Sequence, residues 1–451
     1  MAMVLRKGLK KIYHTLPQRW RVGREFHALY REYEERMFQP YEKRREYQME
    51  QLRRMISYAY KHTRYYRNLF DEHGISPKGI QDFSDVRKIP VLTKAIVQKH
   101  LPDMVSDAIP QSKLQYVTTG GSTGKPLGLY ITARVDRKRL VFTWLNWSFM
   151  GYRMGDSCAV IRGTVVKDGI CAYDRGNNYL VLSAYDLREE NMLEYLKQIQ
   201  AFAPKFLRAY PSVLDILARY IQKNNETVVY LASIQAIATS SEVLTPTQKK
   251  WLERIFQIPI FDQYGNCEQV GFLGMCQHGH YYEAMEHSYL EYLAEDGADA
   301  TDDEIGEVIG TSFINDAVPF IRYKTGDKIL LGSGFIKCSC GIYSRSIQRI
   351  EGRLGDSLQT RYGNLISITA LNSHSDIFDH AARIQYYQDT PGIVILKIVR
   401  QPEYTERDTE KIYAELNEKF KQQVDLRIEF VEEIPLTARG KYKYLDQRLK
   451  L

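Results

Sequence analysis

Residues 118–128 read TTGGSTGKPLG. Four hydroxyl side chains (Thr118, Thr119, Ser122, Thr123) alternate with Gly120, Gly121 and Gly124 and lead to one lysine, Lys125. Tyr116 and Val117 precede the stretch and Leu129, Tyr130, Ile131 and Thr132 follow it, which places it between two strands. Glycines let the backbone aim its N–H groups at one point, and hydroxyls plus a lysine complete an anion cradle. A triphosphate is the natural guest. The spacing is not that of a Walker A loop. That loop needs a glycine five residues before the Gly-Lys pair and a Ser or Thr after the lysine; here those positions hold Thr119 and Pro126. A flexible glycine hairpin is the bland alternative, so the rest of the chain has to decide.

The chain has 451 residues, 44% hydrophobic and 26% charged, which suits two to four globular domains. No apolar run is long enough to span a bilayer. Val4 and Leu5 give way at once to Arg6 and Lys7, so no signal-peptide core is read, and six cysteines are too few for a disulfide scaffold. The expected location is cytoplasmic. The net charge of +7 is densest in the first 70 residues. There a solvated helical face is preferred over a nucleic-acid or lipid contact, and any membrane contact would be peripheral. The 33 tyrosines lie among charges rather than in blocks, so they are not read as base-stacking platforms.

Residues 1 to about 70 read as helices, with Leu52, Met55, Ile56 and Ala59 at helical spacing and Gly74 as a stop. From 111 to about 350 strand and helix signals alternate. Apolar runs over 158–161, 234–239 and 258–261 read as strands; Pro211 and Thr245-Pro246 open helices. The order strand–helix–strand predicts an α/β fold with a largely parallel sheet. After Gly352 the pattern becomes a small α+β unit: strand over 393–399, amphipathic helix over 406–420, strand over 426–431. Three regions are expected: a helical region over 1–110, a large α/β domain over 111–353 and a small C-terminal domain over 354–451.

Four further segments suit a nucleotide site: Ser240-Ser241-Glu242, residues 263–268 (QYGNCE), residues 323–327 (YKTGD) and residues 435–441 (PLTARGK). The first two follow predicted buried strands, and ligands of open α/β sheets bind at such carboxyl ends. Each residue alone has a plain reading: Asp327 as a turn former, Lys441 as a solvated lysine. Together with TTGGSTGKPLG, SSEVLTPTQ, IRYKTGD, EGRLGD and IPLTARGKYKYL, they make the chain from about residue 50 onward resemble the adenylate-forming superfamily of acid-activating ligases. Within it the chain is similar to the phenylacetate–CoA ligase and CapK group.

The resemblance implies a multi-sheet large domain, a mobile C-terminal lid and a residue-by-residue site. Residues Thr118, Thr119, Gly120, Gly121, Ser122, Thr123, Gly124 and Lys125 would hold the β- and γ-phosphates of ATP. Tyr264 would stack on adenine, followed by Gly265 and flanked by Ser241 and Glu242. Glu268 would help hold Mg²⁺. Asp327 and Arg353 would bind the ribose, and Lys441 would reach the α-phosphate and the substrate carboxylate. Where relatives place an acidic or lysine hinge residue, this chain has Gly355, followed by Asp356. Cys267 replaces the usual Ser or Thr before the glutamate.

The cysteines form a separate signal. Cys276 with His278 and His280 (MCQHGH) and Cys338 with Cys340 (CSC) would close a structural Cys₃His zinc site if the fold unites them. Buried reduced cysteines are the ordinary alternative. The resemblance favours His280 over His278.

The function expected is ATP-dependent activation of a small carboxylic acid as acyl- or aryl-AMP with release of pyrophosphate. Transfer to coenzyme A, a carrier-protein thiol or another acceptor would follow, in a setting such as polysaccharide synthesis. The acid pocket is expected between 210–212, 238–241 and 264–271. The rivals are a non-catalytic nucleotide-binding scaffold, against which the intact Lys441, Asp327 and Glu268 speak, and a zinc-containing nucleic-acid-binding protein, which would leave the glycine loop and the GKYKY tail without a purpose.

Overall fold

A computed structural model of the chain describes residues 21–118, 127–162, 166, 169–184, 187, 189–224, 228–353, 357–361, 365–367, 377–378, 380–420, 422–436, 443 and 445–449. It is a mixed α/β protein with a multi-sheet body and a separate C-terminal sheet. Among the described residues, no helix is long and apolar enough to cross a membrane.

Among the described residues three helices come first: α1 (Gly23–Met37), α2 (Tyr41–His62) and α3 (Arg64–Glu72). In α2, Leu52, Met55, Ile56 and Ala59 recur at three- and four-residue spacing and are all buried. Thr63 separates α2 from α3 and caps the latter, its hydroxyl oxygen accepting the Tyr66 N–H. Helix α4 (Lys94–Met104) begins in the same way behind Thr93.

The basic N-terminal region is only partly a solvated face. Arg44 is buried and donates to both carboxylate oxygens of buried Glu286, at 2.8 and 3.0 Å. From the other side, buried Arg322 donates to Glu291 at 3.0 Å through each of two nitrogens and to the carbonyls of Arg87 and Ile89 at 2.9 and 2.6 Å. Planar guanidinium forks thus tie the connector before α4 to the body of the protein.

Strands β1 (Gln115–Thr118) and β2 (Gly128–Ile131) pair antiparallel, with Thr118 opposite Gly128. The phosphate-loop candidate therefore has the flanking strands expected of it; residues 119–126 themselves lie outside the described residues. Helix α5 (Ala133–Ser148) follows, capped by Thr132.

The central sheet has eight strands. In chain order its elements are β3 (Cys158–Arg162), β4 (Cys171–Asp174), β5 (Tyr179–Ser183), α6 (Glu189–Phe202), β6 (Phe206–Ala209), α7 (Pro211–Lys223), β7 (Ala236–Ser240), α8 (Pro246–Phe256), β8 (Ile260–Gly265), β9 (Phe272–Met275) and β10 (Tyr281–Glu283). The spatial order is β10-β9-β8-β7-β6-β3-β5-β4, and β5, β3, β6, β7 and β8 run parallel. Both proline-initiated helices form as the sequence predicts, α8 with the Thr245 hydroxyl accepting the Gln248 N–H.

Alternation along these strands sorts two cores. Cys158, Val160, Phe206, Ala236, Ala238 and Phe261 face the helical N-terminal region and α5. Ala159, Ile161, Leu207, Ile237 and Ile260 face α6, α7 and α8. Strands buried on both faces read as continuous apolar runs, which is why β3, β7 and β8 stood out in the sequence.

A second sheet is wholly antiparallel: β11 (Ser288–Leu293), β12 (Ile305–Ser312), β13 (Tyr323–Lys337) and β14 (Tyr343–Arg353). Sequence reading did not separate it from the parallel sheet. Register shifts interrupt both the β12–β13 and the β13–β14 pairings, and each spoils the two-residue period. Gly310 on β12 is there for clearance: a Cβ would lie 2.2 Å from the Val270 carbonyl oxygen, so only glycine lets the loop after β8 rest on this sheet.

Beyond Arg353 come a short pair, β15 (Ser357–Gln359) and β16 (Leu365–Ser367), and a four-stranded sheet. Its elements are β17 (Ala381–Thr390), β18 (Ile393–Arg400), α9 (Glu406–Phe420), β19 (Asp425–Phe430) and β20 (Leu445–Gln447), in the order β19-β18-β17-β20. Tyr386, Leu396, Ile412, Leu416 and Phe420 are among the side chains of a core belonging to this unit alone.

Candidate active site

The carboxyl ends of β3, β6, β7 and β8 open on a narrow cleft of mixed polar and apolar lining. Its lining includes Tyr210, Ala238, Thr239, Ser240 and Gln263, along with Trp147, Arg162 and Arg208. Parallel pairing puts Ser240 beside Gln263, so the two strand-end segments singled out in the sequence do border one crevice.

Ser241, just past β7, has a left-handed backbone (φ 72°), the sharp turn that ends the strand. Glu242 then reaches the start of α7. Its carboxylate accepts the Ser212 N–H and the Ser212 hydroxyl, both at 3.0 Å. An anion at a helix N-terminus is favourably placed, so Glu242 fixes the Tyr210–Ser212 wall of the cleft to the β7 wall.

On β8, Tyr264 donates its hydroxyl to Asp327 Oδ2 at 2.7 Å. Asp327 lies on β13 directly opposite Arg353 on β14, so the two residues expected at the ribose are cross-strand partners. The Tyr264 ring packs in the cluster containing Leu273, Tyr292 and Val308 and is 9% exposed. Burial, and then the facing Asp327 charge, hold its phenol well above the ordinary tyrosine range.

The loop after Gly265 is kept in shape by Asn266, whose side-chain oxygen accepts the Val270 N–H at 3.0 Å. This loop carries Cys267, exposed, and Glu268, buried, which accepts from the Tyr323 hydroxyl at 3.1 Å. Tyr264, Glu268 and Asp327 thus share one corner where the parallel sheet meets the antiparallel one. The loop residues 119–125, the hinge positions 354–356 and Lys441 lie outside the described residues, as do the side chains of Thr118 and Arg353.

Three site features were missed in the sequence. Asp262, buried on β8, accepts from the Thr239 and Tyr281 hydroxyls at 2.6 Å each. Burial pushes its carboxyl up to about 6 against those hydrogen bonds. Arg162 and Arg208 enter the cleft wall from the ends of β3 and β6. The available signal was an arginine closing a short apolar run, CAVIR and FLRA, at the strand ends where ligands of such sheets bind.

The cysteines gather in part. Cys276, Cys338 and Cys340 hold their sulfurs within 4.8 Å of one another, with Cys276 and Cys338 at 3.6 Å. Tetrahedral zinc with Zn–S of 2.3 Å sets its thiolates about 3.8 Å apart, so this spacing fits. The histidine expected as fourth ligand does not join them. The turn after Cys276 closes on itself, Cys276 N donating to the His280 carbonyl at 3.0 Å, and His278 and His280 are both exposed outside the sulfur group.

Comparison with known proteins agrees with this architecture. Over 91% of both chains it superposes with 2-hydroxyisobutyryl-CoA ligase in the postadenylation state in complex with R3-HIB-AMP, with a TM-score of 0.71 and 17% identity. The fold is that of the adenylate-forming acyl-CoA ligases. Residues 358–447 match the family model of the CapK C-terminal domain. The chain is 25% identical over 413 residues to Protein CapK of Staphylococcus aureus, covering 90% of this chain and 89% of that one. It is 26% identical over 334 residues to phenylacetate-coenzyme A ligase of Thermus thermophilus, covering 72% and 74%. The chain is thus a homologue of the CapK and phenylacetate–CoA ligase proteins, the group its motifs resemble.

Proposed function

We propose that this protein is an ATP-dependent acid ligase. A substrate carboxylate oxygen attacks the α-phosphorus of ATP, pyrophosphate leaves, and an acyl-adenylate forms. A thiol, that of coenzyme A in the simplest case, then attacks the acyl carbon and AMP leaves. The observation that carries this reading is the corner of Tyr264, Glu268 and Asp327 beside a strand-end cleft, in a homologue of proteins named phenylacetate-coenzyme A ligase.

The residue roles follow from charge. Two anions approach each other in the first step, so cations and pre-aimed donors lower the barrier most. Lys125 and the glycine-rich backbone would hold the departing pyrophosphate, and Lys441 the α-phosphate and carboxylate. Asp327 and Arg353 would take the ribose hydroxyls. Glu268 would be the protein ligand of a Mg²⁺ that neutralises phosphate charge; one carboxylate plus phosphates is its usual set. Cys276, Cys338 and Cys340 would bind a structural zinc that pins the hairpin after β9 to that between β13 and β14. The C-terminal unit would act as a lid turning near Gly355 and Asp356. Transfer to another acceptor in polysaccharide assembly is a variant of the second step.

Acid-dependent ATP–pyrophosphate exchange with Mg²⁺, run over a broad acid library with Lys441→Ala as control, tests this. Exchange that collapses in the control is expected. Absence of exchange with every acid, or full activity in Lys441→Ala, would sink it.

A further inference from the structure

The cleft has a cationic wall that the adenylation chemistry does not use. Arg208 pairs in register with Val160, two residues before Arg162, so both arginines project from the same face of adjacent parallel strands. Both line the cleft at its strand-end mouth. Trp147, buried on α5, lies under the Arg208 guanidinium at 4.1 Å and fixes it in place. Among the described residues, neither half-buried guanidinium forms an ion pair, whereas the buried Arg44 and Arg322 each have a bidentate carboxylate. The Arg208 charge is the largest influence on Arg162, pushing its guanidinium down to about 10. Beside them, Gln263 Oε1 is buried without a hydrogen-bond partner among the described residues.

Two like charges held together in a half-closed cleft repel each other and lose hydration. A fixed pair of this kind is stable when an anion completes it, and the planar fork of arginine suits a carboxylate or sulfonate.

We propose that the acid substrate carries a second anionic group, and that Arg162 and Arg208 bind it while its reacting carboxylate faces the nucleotide. The substrate class is then small dicarboxylic acids or their sulfonated equivalents. This rests on the acid-ligase reading above. Arg162 and Arg208 are specificity-determining residues in it, and Trp147 is a positioning residue for Arg208.

The test is a matched panel in pyrophosphate exchange on the full chain: butanoate against succinate and 3-sulfopropanoate, phenylacetate against 4-carboxyphenylacetate. The wild type should prefer the doubly anionic partner by at least about tenfold in kcat/KM. Arg162→Gln and Arg208→Gln should each lower kcat/KM for that partner by roughly 10- to 150-fold, the range for one charged hydrogen-bonding group. Arg162→Lys and Arg208→Lys should keep part of the preference, which separates charge recognition from misfolding. A wild-type preference for singly charged acids that the variants leave unchanged overturns the proposal. So does a rise in KM for ATP with an unchanged acid preference, which would put the pair on the triphosphate. If no acid supports exchange, the ligase reading fails and calorimetric titration with succinate and 3-sulfopropanoate decides the site. Saturable binding lost in both glutamine variants supports it; equal binding by all forms, or none, overturns it.

Discussion

Tyr264→Phe separates two roles that one residue type combines. The substitution keeps the ring and removes the hydroxyl that donates to Asp327 at 2.7 Å. A hydrogen bond to a charged group is worth about 1.5–3 kcal/mol. Asp327 is 5% exposed, so little water is available to replace it. The variant should therefore be less stable by about 1.5–3 kcal/mol in urea titration. If Asp327 meets the ribose, its lost anchor should also raise the KM for ATP in the exchange assay by about tenfold, the kinetic equivalent of roughly 1.4 kcal/mol. Asp327→Asn provides the second arm. The double variant should fall short of additivity by at least about 0.5 kcal/mol, because the two groups act on each other. A ring used only for stacking predicts the reverse: Tyr264→Phe would match wild type in both stability and KM. That result, with additive single effects, would refute the tie between the two sheets as part of the nucleotide site.

Arg322→Met should destabilise by about 3–5 kcal/mol, since it strands buried Glu291 without its partner; a change below about 1 kcal/mol in urea titration would contradict the buried-pair description. Burial, aided by the Lys138 charge, lowers buried His287 to about 3 from its ordinary 6.5. A depressed pKa gives stability that is present above pH 6.5 and is lost as pH falls toward 3, so about 2 kcal/mol should disappear between pH 7 and 5; His287→Gln should show a flatter profile over that window, and an unchanged slope would remove His287 as the cause. Protein purified without chelator should contain close to one zinc per chain by elemental analysis, and Cys338→Ser should lose it together with several degrees of melting temperature; a metal-free wild type would end the zinc reading.

Much of the fold was legible because apolar period survives in single segments. Among the parallel strands β3, β7 and β8 are buried on two faces and stood out as apolar runs, whereas β5 and β6 did not, and Pro211 and Thr245-Pro246 mark helix starts by local geometry alone. Helix α5 was not legible as an amphipathic stripe, since Val141 to Trp147 is buried on every side. The antiparallel sheet was blurred by its register shifts.

By itself the sequence determined the α/β order, the strand-bounded glycine loop at 118–128 and the adenylate-forming resemblance. Those depend on residues close in the chain and on motif order. Tertiary structure alone decided what distant residues do to one another. It joined Tyr264 to Asp327 across 63 positions, brought Cys276 to Cys338 without His280, and set Arg162 beside Arg208 on neighbouring strands. The physical reason is that charge, coordination and hydrogen bonding act over a few ångströms, and only strand register determines which distant residues come that close.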